Sequence, residues 1–245
     1  MEQGAEPIVL VPGLASDARV FAPQIIAISR QRAVHVARIT AEATVEAMAD
    51  AVLADAPGRF ALAGHSLGAI VAMEVQRRAP ERISRIALLA TDCLSDTPKI
   101  SSWREELIVA ARAGRLGEAM RQALPPEALA PGPARPELMH EIVGMAMGLG
   151  PEVFIRQMRA LQKRADQQRT LRALRIPTLI LGGRHDTLCP VRRQEFMETL
   201  SHGARLEILE EAGHLPTLEA PQETTRLLSD WLDRQAPLIL RRALA

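Results

Sequence analysis

The chain is short of several things, and each shortage narrows what it can be. It has two cysteines in 245 residues, Cys93 and Cys189. That number cannot build a disulfide framework, and the two lack the paired spacing of a zinc site, so both are expected as reduced thiols. Both follow strand-like runs, which makes a bond between them geometrically conceivable but unexpected in a reducing compartment. Aromatic residues make up 2% of the chain, too few for stacking platforms. No sign of charge dominates: the formal net charge is +1, which gives no electrostatic reason to expect nucleic acid or an acidic membrane surface as partner. No run approaches the ~20 apolar residues of a membrane span, and "MEQGAEPIVLVPG" lacks a basic segment followed by a long apolar one. The expectation is a cytoplasmic protein, monomer or homodimer, acting on a small molecule.

What the chain does have is apolar content, 47%, enough for one substantial core. It is laid out as short β-like runs alternating with helical patterns, the signature of a parallel sheet covered on both faces. "PIVLVPG", "VHVARIT", "FALAG", "RISRIALLAT", "IPTLILGG" and "ARLEILE" read as about six strands. Helices are expected over "EATVEAMADAVLADAP", where Val45, Met48, Ala49 and Val52 share one face, over "CPVRRQEFMETL", and over "APQETTRLLSDWLDRQ". From 95 to 175 no strand-like run occurs, and prolines punctuate helical segments. The expected organisation is an α/β core of residues 1–94 and 176–245 with a helical lid insert at 95–175. "PLILRRALA" is expected to add a short helix at the end.

The chemistry centres on Gly64-His65-Ser66-Leu67-Gly68, a G-x-S-x-G pattern after a strand and before a helix. Five residues of this kind recur in unrelated chains as ordinary turns. The strand before and the helix after favour a nucleophile on a tight corner at the carboxyl end of a sheet. A serine hydroxyl is a poor nucleophile at neutral pH and needs a base, which in turn needs an acid to orient it. Of six histidines, His214 in "EEAGHLPTLEAPQ" lies just past the last strand, where a loop brings its ring over the sheet edge. The other five suit solvated or packed imidazoles; His65 is expected to point away from the serine. Asp186 in "LGGRHDTLCP" follows the fifth strand, so Ser66, Asp186 and His214 occur in the nucleophile, acid, base order of this sheet class. Asp92 in "LLATDC", at the end of the fourth strand, is the rival acid; the Gly-Gly turn expected before Asp186 suits a loop reaching toward the histidine and favours Asp186. Backbone amides at Leu67, in the first turn of a helix, and Leu14, after Gly13, are the expected oxyanion donors, worth about 3 kcal/mol each. Metal and cofactor are not called for.

The pieces "LVPGL", "GHSLG", "GGRHD" and "AGHLPTLEAP" together resemble the α/β-hydrolase fold over nearly the whole chain. Many relatives carry His-Gly in the first loop where this chain has Pro12-Gly13, a change that keeps the Leu14 amide but removes a loop-shaping side chain. The first strand here corresponds to the third of the family's sheet. Within the fold the chain is similar to compact carboxylesterases and 3-oxoadipate enol-lactonases, which implies hydrolysis of a small ester or lactone. Carbon-carbon bond hydrolysis and ligand sensing use the same constellation and stay open. Methionines of the insert (Met120, Met139, Met145, Met147, Met158) suit an adaptable pocket or simple helix packing. The arginines of "FIRQMRALQKRAD" suit a solvated face or a substrate carboxylate.

Overall fold

The computed structural model describes residues 5–234. The expected extension "PLILRRALA" lies outside them. In chain order, β1 (Ile8–Val11), α1 (Ala22–Ile28), β2 (Val34–Val36), α2 (Val45–Asp55), β3 (Phe60–His65), α3 (Leu67–Arg78) and β4 (Ile83–Leu89) come first. There follow α4 (Pro98–Arg112), α5 (Leu116–Ala123), α6 (Arg135–Leu149), α7 (Pro151–Lys163) and α8 (Gln168–Ala173). The sheet then resumes with β5 (Thr178–Gly183), α9 (Val191–Leu200), β6 (Arg205–Leu209), α10 (Pro216–Glu219) and α11 (Pro221–Asp233). Each of the six expected strands is present. The helix α1 was not foreseen: "APQIIAI" is too short, and too apolar around its circumference, for a clear helical stripe.

All six strands are parallel, in the order β2-β1-β3-β4-β5-β6. The inner strands β1, β3 and β5 are buried at every position, which is why they read as unbroken apolar or small-residue runs rather than alternating ones. The edges β2 and β6 are only half-buried. From β1 the chain steps outward to β2, then crosses back over β1 to β3 and runs the other way. Right-handed crossovers therefore place α1 on one face, packed with α10 and α11, and α2, α3, α8 and α9 on the other. The two strands stay paired to Val11 and Gly64, but the connections leaving their carboxyl ends run in opposite directions at this reversal, the usual ligand position in an open α/β sheet.

The residues between β4 and β5 contain no strand, as expected. Prolines start helices here rather than break them: Pro98, Pro136 and Pro151 occupy first-turn positions whose N–H groups would be unpaired in any case. No single helix among the described residues is long and apolar enough to cross a membrane.

Candidate active site

Ser66 sits between the end of β3 and the start of α3 with φ 52° and ψ −116°, a strained backbone for a residue with a Cβ. What holds it there is close backbone packing. A Cβ on Gly68 would lie 2.0 Å from the carbonyl oxygen of Val11, and one on Gly64 2.3 Å from that of Gly68. Glycine is thus required because α3 leaves the corner directly against the end of β1. The Ser66 N–H donates to Leu89 O at 2.9 Å, and the Thr91 hydroxyl donates to Ser66 O at 3.1 Å, tying the corner to the exit of β4.

The three residues that the sequence singles out are brought together from three strand ends. Ser66 Oγ lies 3.0 Å from His214 Nε2, and His214 Nδ1 lies 2.9 Å from Asp186 Oδ2. The other carboxylate oxygen of Asp186 accepts the N–H groups of Leu188 and Cys189, both at 2.9 Å. Burial opposes ionisation of Asp186, but the His214 ring and these two amides outweigh it and hold the carboxyl below its ordinary value. A charged acceptor at Nδ1 keeps the proton on that nitrogen and leaves Nε2 free to accept from the serine. Asp92, the rival acid, is turned elsewhere: it caps the N–H of Leu94 at 2.8 Å and meets Arg164 at 3.3 Å.

The sequence pattern of the alpha/beta hydrolase family matches residues 8–227. The chain belongs to that family. Among curated relatives, it is 26% identical to the pimeloyl-[acyl-carrier protein] methyl ester esterase of Aromatoleum aromaticum over 76% of this chain and 79% of that one. It is 30% identical to the putative carbamate hydrolase RutD of Klebsiella pneumoniae over 74% of this chain and 68% of the relative. Among solved structures, a thermophilic esterase from Thermogutta terrifontis superposes with a TM-score of 0.84 at 26% identity, covering 93% and 89% of the two chains. The enol-lactonase of Burkholderia xenovorans LB400, at 24% identity and TM-score 0.83 over 94% and 92%, shares the fold.

In this α/β-hydrolase the Gly182-Gly183 pair has a different role from the flexible turn expected before Asp186. Both glycines lie inside β5, where a Cβ on Gly183 would come within 2.2 Å of Gly213 O. Small size there lets the His214 loop lie against the strand that delivers Asp186.

His65 is a packed imidazole, as expected, but its place in the site is not visible in the spacing. Its ring is buried and lies beside His214, with ring centroids 5.3 Å apart, and its Nε2 is 2.7 Å from His214 O. A carbonyl only accepts, so Nε2 of His65 carries the proton and Nδ1, buried without a partner, does not. Burial, and secondarily the neighbouring His214, lower its pKa to about 4, so it is a neutral prop for the histidine loop. That loop has two further supports: the N–H of His214 donates to Ala128 O at 2.7 Å, and Glu219 accepts from Leu215 at 2.8 Å and from Ala130 at 2.6 Å. Apart from the local Leu215–Glu219 contact, these supports join segments far apart in sequence and are not readable from spacing.

Leu14 and Leu67 both line the cavity in front of Ser66, and among the described residues neither of their N–H groups donates to a protein acceptor. The next amide, Ala15, is held: its N–H donates 2.6 Å to Oε1 of Gln157, whose Nε2 donates 2.9 Å to Ile39 O. Gln157 comes from α7 and is fully buried, and Ala15 has φ 45°. A side chain from the helices between β4 and β5 thereby fixes the loop that carries the Leu14 amide.

The cavity has a volume of about 260 Å³, at the small end of ligand sites. Ile70, Ile100, Trp103, Met120, Ile142 and Leu161 supply much of its apolar wall, so α4, α5, α6 and α7 all reach it. Of the insert's five methionines only Met120 lines it; Met139, Met145 and Met158 pack between helices and Met147 faces outward. Of the four cations in "FIRQMRALQKRAD" only Arg164 lines it; Arg156 bonds Thr40 O and Arg159 pairs with Glu105. Both cysteines are free thiols. Asp186, Cys189 and His214 present possible ligand atoms within 4.8 Å of one another. However, the acid and the ring already bond each other, and desolvation, with the Asp186 charge, pushes the Cys189 thiol well above its usual range. Without a metal it is therefore a thiol.

Proposed function

We propose that this protein is a serine hydrolase that cleaves small to medium carboxylic esters through an acyl-enzyme on Ser66. The observation that carries the reading is the continuous hydrogen-bonded chain Ser66–His214–Asp186 opening onto a cavity beside two undonated amides. Its relatives named above include an esterase acting on a methyl ester, in keeping with this chemistry.

In the first half-reaction, Ser66 Oγ attacks the ester carbonyl carbon as its proton passes to His214 Nε2. The electron pair of the carbonyl moves onto oxygen, where the Leu14 and Leu67 amides and the N-terminal end of α3 stabilise it. The tetrahedral adduct collapses, the C–O bond to the alcohol breaks, and His214 returns its proton to the leaving alkoxide. Water then repeats the sequence on the acyl-enzyme and releases the acid. Asp186 stabilises the imidazolium that forms twice in each turnover. Residues 95–175 act as the lid over this chemistry, and the core comprises 1–94 and 176–245.

A fluorophosphonate probe together with a panel of p-nitrophenyl esters tests the reading. Labelling that depends on Ser66, with ester turnover, is the expected result. Labelling with negligible turnover points to a ligand sensor on the same scaffold, and no labelling removes the serine-hydrolase assignment altogether.

A further inference from the structure

One wall of the cavity is unlike the rest. Asp92 and Asp96, on the loop after β4, face it together with Arg104 from α4, Arg164 at the end of α7 and Arg193 in the first turn of α9. Four of these five groups satisfy one another. Asp96, whose side chain is 0% exposed, accepts from Arg104 Nε at 2.5 Å and pairs with Arg164 at 3.2 Å; Arg164 also meets Asp92 at 3.3 Å and donates from Nε to Leu94 O at 2.8 Å. Two carboxylates thus answer two guanidinium groups.

Arg193 is the exception. It is half-buried and lines the same cavity, yet among the described residues its side chain has no carboxylate within ion-pair distance and no hydrogen-bond acceptor. Asp186 does not serve it: both of that carboxylate's oxygens are occupied by His214, Leu188 and Cys189. A guanidinium facing a small, mostly apolar cavity is partly desolvated, and its planar fork matches a carboxylate in two-point geometry. The loop that delivers Arg193 also delivers Leu188 and Cys189 to the cavity and Asp186 to His214, so the cation belongs to the wall that carries the acid of the reacting chain.

We propose that Arg193 binds a free carboxylate on the substrate, so that the compounds cleaved are small esters or lactones bearing a second, ionised acid group. Half-esters of short dicarboxylic acids are the simplest example. This specificity rests on the hydrolase reading of Ser66. The small volume of the cavity supports a short spacer between the two acid functions, and the ion pairs among Arg104, Asp96, Arg164 and Asp92 leave Arg193 as the lining cation without a carboxylate partner among the described residues.

The test compares monomethyl glutarate with dimethyl glutarate. The expected selectivity, as a ratio of kcat/KM values, favours the half-ester and falls by about tenfold or more in Arg193→Gln, mainly through KM, with Arg193→Lys recovering part of it. A ratio that is the same in wild type and Arg193→Gln overturns the proposal. Arg193→Gln removes no intramolecular bond, so its thermal midpoint should match the parent. Calorimetric titration of monomethyl glutarate into Ser66→Ala, and into Ser66→Ala combined with Arg193→Gln, reads the anion site without turnover. Binding that is lost with Arg193, alongside failure to turn over every ester including p-nitrophenyl acetate, would sink the hydrolase reading and leave the anion site standing. Turnover of p-nitrophenyl acetate with half-ester binding indifferent to Arg193 would do the reverse.

Discussion

Replacing Asp186 by Asn is the sharpest perturbation of the proposed mechanism, because the structure dictates how the new amide must orient. Asp186 Oδ1 accepts two backbone N–H groups at 2.9 Å, so the asparagine must place its carbonyl oxygen there and its NH₂ toward His214 Nδ1. The ring then has to accept at Nδ1 and carry its proton on Nε2. That proton faces Ser66 Oγ at 3.0 Å, where the reaction needs a lone pair. Recovering the reactive tautomer sets one N–H against another and gives up a hydrogen bond, about 1–2 kcal/mol. Losing the carboxylate beside the imidazolium removes roughly 4 kcal/mol more, taking ~4 Å between charges and an effective dielectric of ~20. The sum, about 5 kcal/mol, corresponds to a fall in kcat of roughly 10³ to 10⁴. Steady-state hydrolysis of p-nitrophenyl acetate measures it, and a thermal midpoint close to the parent's is expected because both amide contacts survive. Retention of activity within tenfold would remove Asp186 from the acid's role, and a comparable loss on Asp92→Asn with Asp186→Asn active would return the acid to the end of β4.

Three other outcomes follow from the same geometry. Gly68→Ala forces a Cβ to within 2.0 Å of Val11 O, backbone against backbone, so the corner cannot form as built; a destabilisation well above 3 kcal/mol, seen as loss of soluble folded protein or a collapsed denaturant midpoint, is expected. Gln157→Ala orphans the Ala15 N–H and Ile39 O; stability should fall by about 2–4 kcal/mol in urea unfolding and kcat should drop more than KM rises, whereas an unchanged kcat would break the link between the insert and the Leu14 amide. His65 has its folded pKa lowered from 6.5 to about 4, so its contribution is present above pH ~6.5 and is lost as pH falls toward 4; wild type should shed about 3 kcal/mol of stability over that interval, and His65→Gln, which keeps a donor for His214 O but does not titrate, should show a flatter profile.

How much of this was legible beforehand follows from the range of each interaction. Strand runs, the Ser66 corner, and the positions of Asp186 and His214 just past strand ends are local patterns, set by burial period and by small residues at tight places, and the structure places them as spacing predicts. Helix α1 was missed because seven residues with few polar positions carry almost no periodic signal. Spacing suggests a turn at the glycines before Asp186 because it cannot distinguish a glycine chosen for its backbone freedom from one chosen for its lack of bulk, and Gly183 is the second kind.

Local patterning alone sets the alternation of strand and helix, hence a covered parallel sheet, and the order in which Ser66, Asp186 and His214 follow their strands. The folded chain settles what spacing leaves open: which acid meets His214, that His65 props that histidine, that Gln157 from α7 holds the loop after β1, and that Arg193 faces the cavity with no acidic partner among the described residues. The reason is physical: hydrogen bonds between groups 28 to 149 residues apart in the chain depend on how strand ends converge at the sheet's reversal point, and no local pattern encodes that convergence.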